Sequence, residues 1–311
     1  MMKRRHFIQT AGGGFAAAHL NPFIKATGTD SLFVRLGGPL FDPYGDPEEW
    51  ARLLKLSGYR AAYCPVEPGA DPVLIRAYRD AAARHDIVIS EVGAWSNTIS
   101  PDPEEASESI IKCMAGLELA DRIGAKCCVN ISGSRNTKYW AGPHQDNLSA
   151  DVFDLVVENS RKIIDEVKPK QAHFALEAMP WSFPDSTETY LQLLKAIDRP
   201  HFGVHLDPVN MIRSPREYFN NGILIREMFS KLGSKIVSCH AKDIILREDN
   251  YIPQLDEVRA GLGKLDYVIY LQELARLEDI PLMMEHLNTA EEYKLAAGYI
   301  RSVGRSVHIS L

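Results

Sequence analysis

Eight short apolar runs, each leading into a longer amphipathic segment, predict an α/β chain folded as a single (β/α)8 TIM barrel. Two further observations favour a closed cylinder over an open doubly wound sheet. No GxGxxG follows any of the runs, since Gly12-Gly13-Gly14 precedes them all and Gly261-Leu262-Gly263 falls in a connection. The last four runs also finish on side chains that bind metals, which suits a fold that gathers its chemistry at one end of the strands.

The strands are expected at 32–36, 59–64, 87–92, 126–131, 173–177, 202–207, 236–240 and 282–285. Segments with helical periodicity follow them at 47–57, 73–84, 104–123, 152–167, 187–197, 216–232, 267–277 and 291–303. Asp46-Pro47, Asp71-Pro72 and Asp102-Pro103 place an N-cap acid before a first-turn proline. Gly58, Gly124, Gly233 and Gly304 stand where helices should stop. Two connections, 132–150 and 243–264, are long and leave the carboxyl end of the barrel, so they are candidate lids.

Residues 1–28 read as an export signal and linker, and 29–311 as the barrel domain. The start, MMKRRHFIQTAGGGFAAAHL, joins a basic segment to a weakly apolar one rich in Gly and Ala; Arg4-Arg5 followed by Phe7 and Ile8 resembles a twin-arginine signal. That implies the twin-arginine translocase as a partner during export and a periplasmic location. No later apolar run approaches the roughly 18 residues of a membrane span. The net charge of −6 hides an acidic body, because the first 25 residues hold four basic side chains and no acid, leaving 31 basic against 41 acidic residues. Such a body repels phosphates and argues against nucleic acid. The five cysteines are odd in number and lack CxxC spacing, so neither a disulfide framework nor a zinc–thiolate site is expected. The sequence leaves the oligomeric state open.

The motifs ALEAMPW, VHLDPVN, SCHAKD and MMEHL end four consecutive strands with Glu177, Asp207, His240 and Glu285. Strand alternation makes the set coherent. If these four point inward, so do Ala175, His205, Ser238 and Met283 one layer below, while Leu176, Leu206, Cys239 and Met284 face the helices. Three converging carboxylates repel one another by roughly 4 kcal/mol per pair at about 4 Å. A divalent cation with an imidazole as fourth ligand removes that conflict. Oxygen-rich ligation with one histidine suits Mn²⁺ first, with Mg²⁺, Co²⁺ and Zn²⁺ open. A metal so held polarises a carbonyl and stabilises an enediolate, while Glu177 and Glu285 serve as the catalytic pair that removes and returns a proton.

Around this set, His205 reads either as a satisfied core histidine or as a contact to ligands or substrate. Lys242 shares the inward parity of His240 and is a candidate for a substrate oxygen. Trp95 and Trp181, near the rim, read as sugar-stacking surfaces or as loop packing, and His144 in the long connection as a substrate contact. Glu67 and Glu91 read equally as pocket residues or ion-pair partners and stay unassigned.

Residues from about 31 to 311 resemble the xylose isomerase-like TIM barrel superfamily, which covers sugar phosphate isomerases/epimerases and the AP endonuclease family 2, endonuclease IV included. Glu177, Asp207, His240 and Glu285 match the ligands of its single-metal members, such as ketose 3-epimerases and inosose dehydratases. The resemblance implies one divalent metal, a carbohydrate substrate, and Glu177 and Glu285 as the acid–base pair. This chain departs from the ketose 3-epimerases at Asn210, where they carry His, and at Leu246, where they carry Arg; Asn210 joins the expected substrate contacts. A lyase or dehydratase acting on a keto-sugar or 3-keto-glycoside is the alternative activity, and a non-catalytic sugar- or metal-binding protein the third.

Overall fold

The computed structural model describes residues 32–311, so the expected export segment, 1–28, lies outside the described residues. The elements run β1 (Arg35–Gly37), α1 (Pro47–Leu56), β2 (Ala61–Tyr63), α2 (Pro72–Arg84), β3 (Val88–Gly93), α3 (Pro103–Ile123) and β4 (Cys127–Asn130). They continue α4 (Ala150–Val167), β5 (His173–Glu177), α5 (Thr187–Ile197), β6 (Phe202–Leu206), α6 (Pro215–Phe219), α7 (Asn221–Leu232) and β7 (Ile236–Ala241). Last come β8 (Asp243–Leu246), β9 (Leu255–Val258), α8 (Tyr267–Leu274), β10 (Pro281–Met284) and α9 (Ala290–Ser306). Eight strands close a parallel barrel in the order β1-β10-β7-β6-β5-β4-β3-β2.

The start signals act as expected. Asp46, Asp71 and Asp102 accept from the backbone N–H of Glu49, Val73 and Glu104, each with proline opening the helix. Such a cap is worth about 1 kcal/mol. Gly124 ends α3 at φ +82°, a left-handed turn that costs glycine nothing.

The main core lies between strands and helices and holds Leu176, Leu206, Cys239 and Met284. Inside the cylinder, Cys127, Val129, Ala175 and Val237 form a small apolar cluster. Met283 fits inside because Gly37 opposite has no side chain: a Cβ there would meet the Met283 sulfur at 2.6 Å.

Two elements differ from the sequence reading. The segment 216–232 is two helices, broken at Asn220, whose φ of −123° leaves helical space. The connection 243–264 carries an antiparallel hairpin, with Asp243 paired to Val258 and Leu246 to Leu255. Ile244 and Ile245 supply the β-branched residues that favour extended pairing. Among the described residues no helix is long and apolar enough to cross a membrane.

Candidate metal centre

The carboxyl ends of β5, β6, β7 and β10 deliver Glu177, Asp207, His240 and Glu285 to one point. One ligand atom from each lies within 4.8 Å of all the others. Tyrosines from the surrounding helices fix the backbone beneath them. The Tyr190 hydroxyl shares its one proton between the carbonyls of Leu176 and His205, Tyr270 donates to that of His240, and Tyr267 to that of Lys242. From the barrel side, Tyr63 donates to the Met284 carbonyl at 3.0 Å, next to Glu285.

Each ligand is also aimed through its side chain. Asp207 Oδ1 accepts from Val209 N at 2.9 Å, which turns Oδ2 toward the centre. Glu177 Oε1 accepts from Asn210 Nδ2 at 3.0 Å. His240 Nδ1 lies 2.8 Å from Glu285 Oε1 and 3.3 Å from Glu177 Oε1, and its Nε2 lies 3.2 Å from Glu91 Oε1. Lys242 brings its ammonium to 2.7 Å from Asp207 Oδ2, 2.5 Å from Glu285 Oε1 and 3.6 Å from Glu177 Oε1.

Burial and charge pull these groups in opposite directions. Burial pushes the Glu177 carboxyl up to about 7, against the attraction of His240 and Lys242. Burial opposes ionisation of Glu285 and Asp207 as well, but His240 and Lys242 hold the first, and Lys242 the second, below the usual carboxylate range. Burial alone would lower His240 and Lys242, yet the carboxylates around them hold both well above their ordinary values.

This donor set fits a divalent cation. Asp207 Oδ2 and Glu285 Oε1 are buried and accept no hydrogen bond of regular geometry, although Lys242 lies close to both. Ammonium protons reach them as charge rather than as aligned donors. Three carboxylates and one imidazole are oxygen-rich ligands of the kind Mn²⁺ and Mg²⁺ accept.

Above the centre opens a cavity of about 630 Å³, within the range of small-molecule sites. Trp95, Trp181, Asn210 and Lys242, four of the candidate substrate residues, line it. Trp181 is held by a 2.6 Å hydrogen bond from its indole N–H to the Ala141 carbonyl. Trp95 lies so close to Gly93 that a Cβ there would meet its indole nitrogen at 2.6 Å.

Two expected contacts fall elsewhere. His205 is fully buried beneath the ligands, edge-on to the His240 ring at 4.0 Å, and does not reach the cavity. Burial and the charge of His240 lower its pKa to about 4, so it stays neutral. His144 points to solvent beside Asp146, 3.7 Å away, because the segment 132–150 folds onto itself. There buried Asn147 accepts from Arg135 N and donates to the Gly142 carbonyl.

The cavity also takes residues that the sequence left unassigned or unnoticed: Glu67, Glu91, Glu257, His286, Tyr139 and Trp140. Glu91 carried a usable signal, being an acid in the middle of an apolar strand. Glu257 and His286 carried none, because the hairpin brings Glu257 to within 2.9 Å of His286 across a long gap in sequence. A second cavity, of about 510 Å³, opens at the other end of the barrel against Lys126 and His173, where no carboxylates converge.

A closed parallel barrel with helices between its strands, and a cluster of four candidate metal ligands at its carboxyl mouth, places the chain among TIM-barrel proteins. The sequence pattern of the xylose isomerase-like TIM barrel family matches residues 46–303, and the chain belongs to that family. No curated protein matches it by sequence. Among solved structures it is similar to D-psicose 3-epimerase with D-tagatose from Clostridium cellulolyticum, at TM-score 0.62 and 15% identity over 87% of this chain and 99% of that one. It is also similar to a xylose isomerase-like TIM barrel protein from Mycobacterium smegmatis in complex with magnesium, at TM-score 0.59 and 16% identity over 85% and 90%. Endonuclease IV from Thermus thermophilus shares the fold as well, at TM-score 0.65 and 15% identity over 88% and 99%.

Proposed function

We propose that this chain is a divalent-metal-dependent sugar isomerase or epimerase, with Mn²⁺ as the expected ion, that moves a proton on a carbon beside a carbonyl. One observation carries the reading: Glu177 and Glu285 come from non-adjacent strands, β5 and β10, and flank the same buried point with Asp207 and His240. Glu177, Asp207, His240 and Glu285 would hold the ion. Bound there, it supplies Lewis-acid polarisation of a substrate carbonyl.

The chain's own groups do the rest. One of the two glutamates takes the proton and the other returns it, which requires both to reach the reacting carbon. Asn210 holds Glu177 Oε1 and so limits the rotation of that carboxylate. Lys242, nearly without solvent contact, offers its ammonium to a substrate oxygen as charge develops there. Trp95 and Trp181 present partly exposed aromatic faces to the apolar side of a sugar ring. The cavity wall carries five carboxylates against Lys242 and His286, which favours a neutral substrate over a phosphorylated one. The similarity to a D-psicose 3-epimerase supports the same substrate class.

The second reading is elimination in the same site, with loss of water or of a glycosidic leaving group. It is favoured by the aromatic wall of Tyr139 and Trp140, which gives room for a second unit beyond one sugar. Incubation of the Mn²⁺-loaded protein with keto-sugars and 3-keto-glycosides in D2O tests both. Deuterium beside the carbonyl is expected, with mass otherwise unchanged for isomerisation and with fragments or lost water for elimination. Glu177→Gln should keep sugar binding and lose exchange. A wild-type protein that binds sugar but never exchanges is a binding protein, and the enzyme reading fails. Export belongs to the same proposal: Arg4→Lys with Arg5→Lys should hold the protein in the cytoplasm, and unchanged fractionation would remove the twin-arginine route.

A further inference from the structure

Glu91, on β3, is not among the four ligands, yet both of its carboxylate oxygens are committed. Oε2 accepts from the hydroxyls of Ser90 at 3.2 Å and Ser238 at 3.1 Å, and these hydroxyls lie 2.8 Å from each other. Oε1 lies 3.2 Å from His240 Nε2. His205 Nδ1 stands 3.6 Å from Oε2, beyond hydrogen-bond distance. Ser90, Ser238 and His240 are fully buried and Glu91 is 3% exposed, so water does not compete for these contacts.

Strand geometry explains the grip. Ser238 and His240 are two residues apart on β7, so both point into the cylinder. β3 and β7 are not neighbours in the barrel, so Glu91 reaches them across the lumen and holds two successive inward positions of one strand.

A neutral imidazole offers a lone pair at one nitrogen only when the other carries the proton. The nitrogen turned toward Glu177 and Glu285 is Nδ1. We infer that Glu91 is a positioning residue: it accepts the Nε2–H of His240, so that Nδ1 is the nitrogen that gives up its proton and ligates when a divalent cation binds. The inference rests on the reading of Glu177, Asp207, His240 and Glu285 as metal ligands. A carboxylate at this position also strengthens the ligand, because it makes the imidazole more electron-rich, and loss of such partners typically lowers metal affinity about 10–100-fold.

The test titrates the metal-free full chain with Mn²⁺ by calorimetry for wild type, Glu91→Gln, Glu91→Met and His240→Gln, with circular dichroism as the folding control. Glutamine can still present an oxygen to Nε2–H, whereas methionine fills similar volume without an acceptor. Affinity should fall by less than about 10-fold for Glu91→Gln and by about 10–100-fold for Glu91→Met. A spectroscopic readout separates positioning from general support. The ¹⁵N-histidine spectrum of the Zn²⁺-loaded wild type should show a low-field, slowly exchanging Nε2–H that is absent in His240→Gln. That signal should persist in Glu91→Gln and vanish or move upfield in Glu91→Met.

Equal Mn²⁺ affinity in a folded Glu91→Met, or an unchanged Nε2–H signal there, overturns the inference. So does a second bound equivalent of Mn²⁺ that disappears in Glu91→Met, since Nε2 would then ligate rather than donate. If Glu91→Met does not fold, Glu91→Gln decides, and loss of its Nε2–H signal without loss of Mn²⁺ affinity is the contrary result. Failure of wild type to bind Mn²⁺ at all sinks the metal reading itself, which is a different outcome from binding that ignores Glu91.

Discussion

Lys242→Met should destabilise the metal-free protein strongly and the metal-loaded protein much less. The ammonium lies 2.7 Å from Asp207 Oδ2 and 2.5 Å from Glu285 Oε1. At an effective dielectric near 20, each of these contacts is worth about 6 kcal/mol of Coulomb energy. Burying the charge costs several kcal/mol in return. Removing one partner of such a buried network typically costs about 3–5 kcal/mol, because the remaining charges are left uncompensated. For a domain of this size, 1 kcal/mol shifts Tm by roughly 2–4 °C, so a fall of about 10 °C is expected with a chelator present. A divalent ion among the same carboxylates supplies the missing positive charge. Mn²⁺ should therefore raise the melting temperature of Lys242→Met more than that of wild type. Thermal melts in chelator and in excess Mn²⁺ measure both quantities. A variant that melts within about 2 °C of wild type in chelator, or equal Mn²⁺ stabilisation of the two proteins, would refute the reasoning.

Asp243→Asn should destabilise the protein by about 2–5 kcal/mol in urea titrations. The carboxylate accepts four backbone N–H groups, from Ile244, Gly261, Gly263 and Leu265, and an amide turns one of its two acceptor oxygens into a donor facing two of them. Asp121→Asn links stability to acid. Burial opposes ionisation of Asp121, but the N–H groups of Ala172, Gln171 and Lys170 hold its carboxyl below the ordinary value. A group lowered in the folded state contributes stability that is present above the unfolded pKa of about 3.9 and is lost as pH falls through the folded value. Wild type should thus exceed Asp121→Asn in Tm at neutral pH, with the gap narrowing as pH falls below the unfolded value of about 3.9; a gap that stays constant with pH contradicts the assignment. Trp181→Ala should raise KM for a sugar substrate several-fold with kcat nearly unchanged, since the indole lines the cavity with its N–H given to the Ala141 carbonyl; a selective loss of kcat would argue for a role in the chemistry.

Much of the barrel was legible because strand alternation is a local property. Leu176, Leu206, Cys239 and Met284 are apolar and face the helices, while Ala175 faces the lumen, as a period of two requires. The break at Asn220 is easily passed over although Asn220-Asn221-Gly222 is a turn-type run, because the apolar residues on either side read as one helical period. The hairpin of β8 and β9 was not legible, since its pairing depends on Asp243 gathering backbone donors from residues 261–265.

The candidate centre divides along the same line. Glu177, Asp207, His240 and Glu285 could be read as a set because each ends a strand, and in a closed parallel barrel all strands end at one mouth. The layer of His205, beneath the set, was legible from strand position, but the partner Glu91 meets was decided across the lumen, from a strand that is not a neighbour of β7. His205 and Lys242 share a parity with the ligands, yet one sits sealed beneath them and the other among their oxygens. Parity gives only the face on which a residue stands. Position along the strand adds the layer, as it did for His205, but the partner met across the lumen follows from how the cylinder closes, and that requires the whole chain at once.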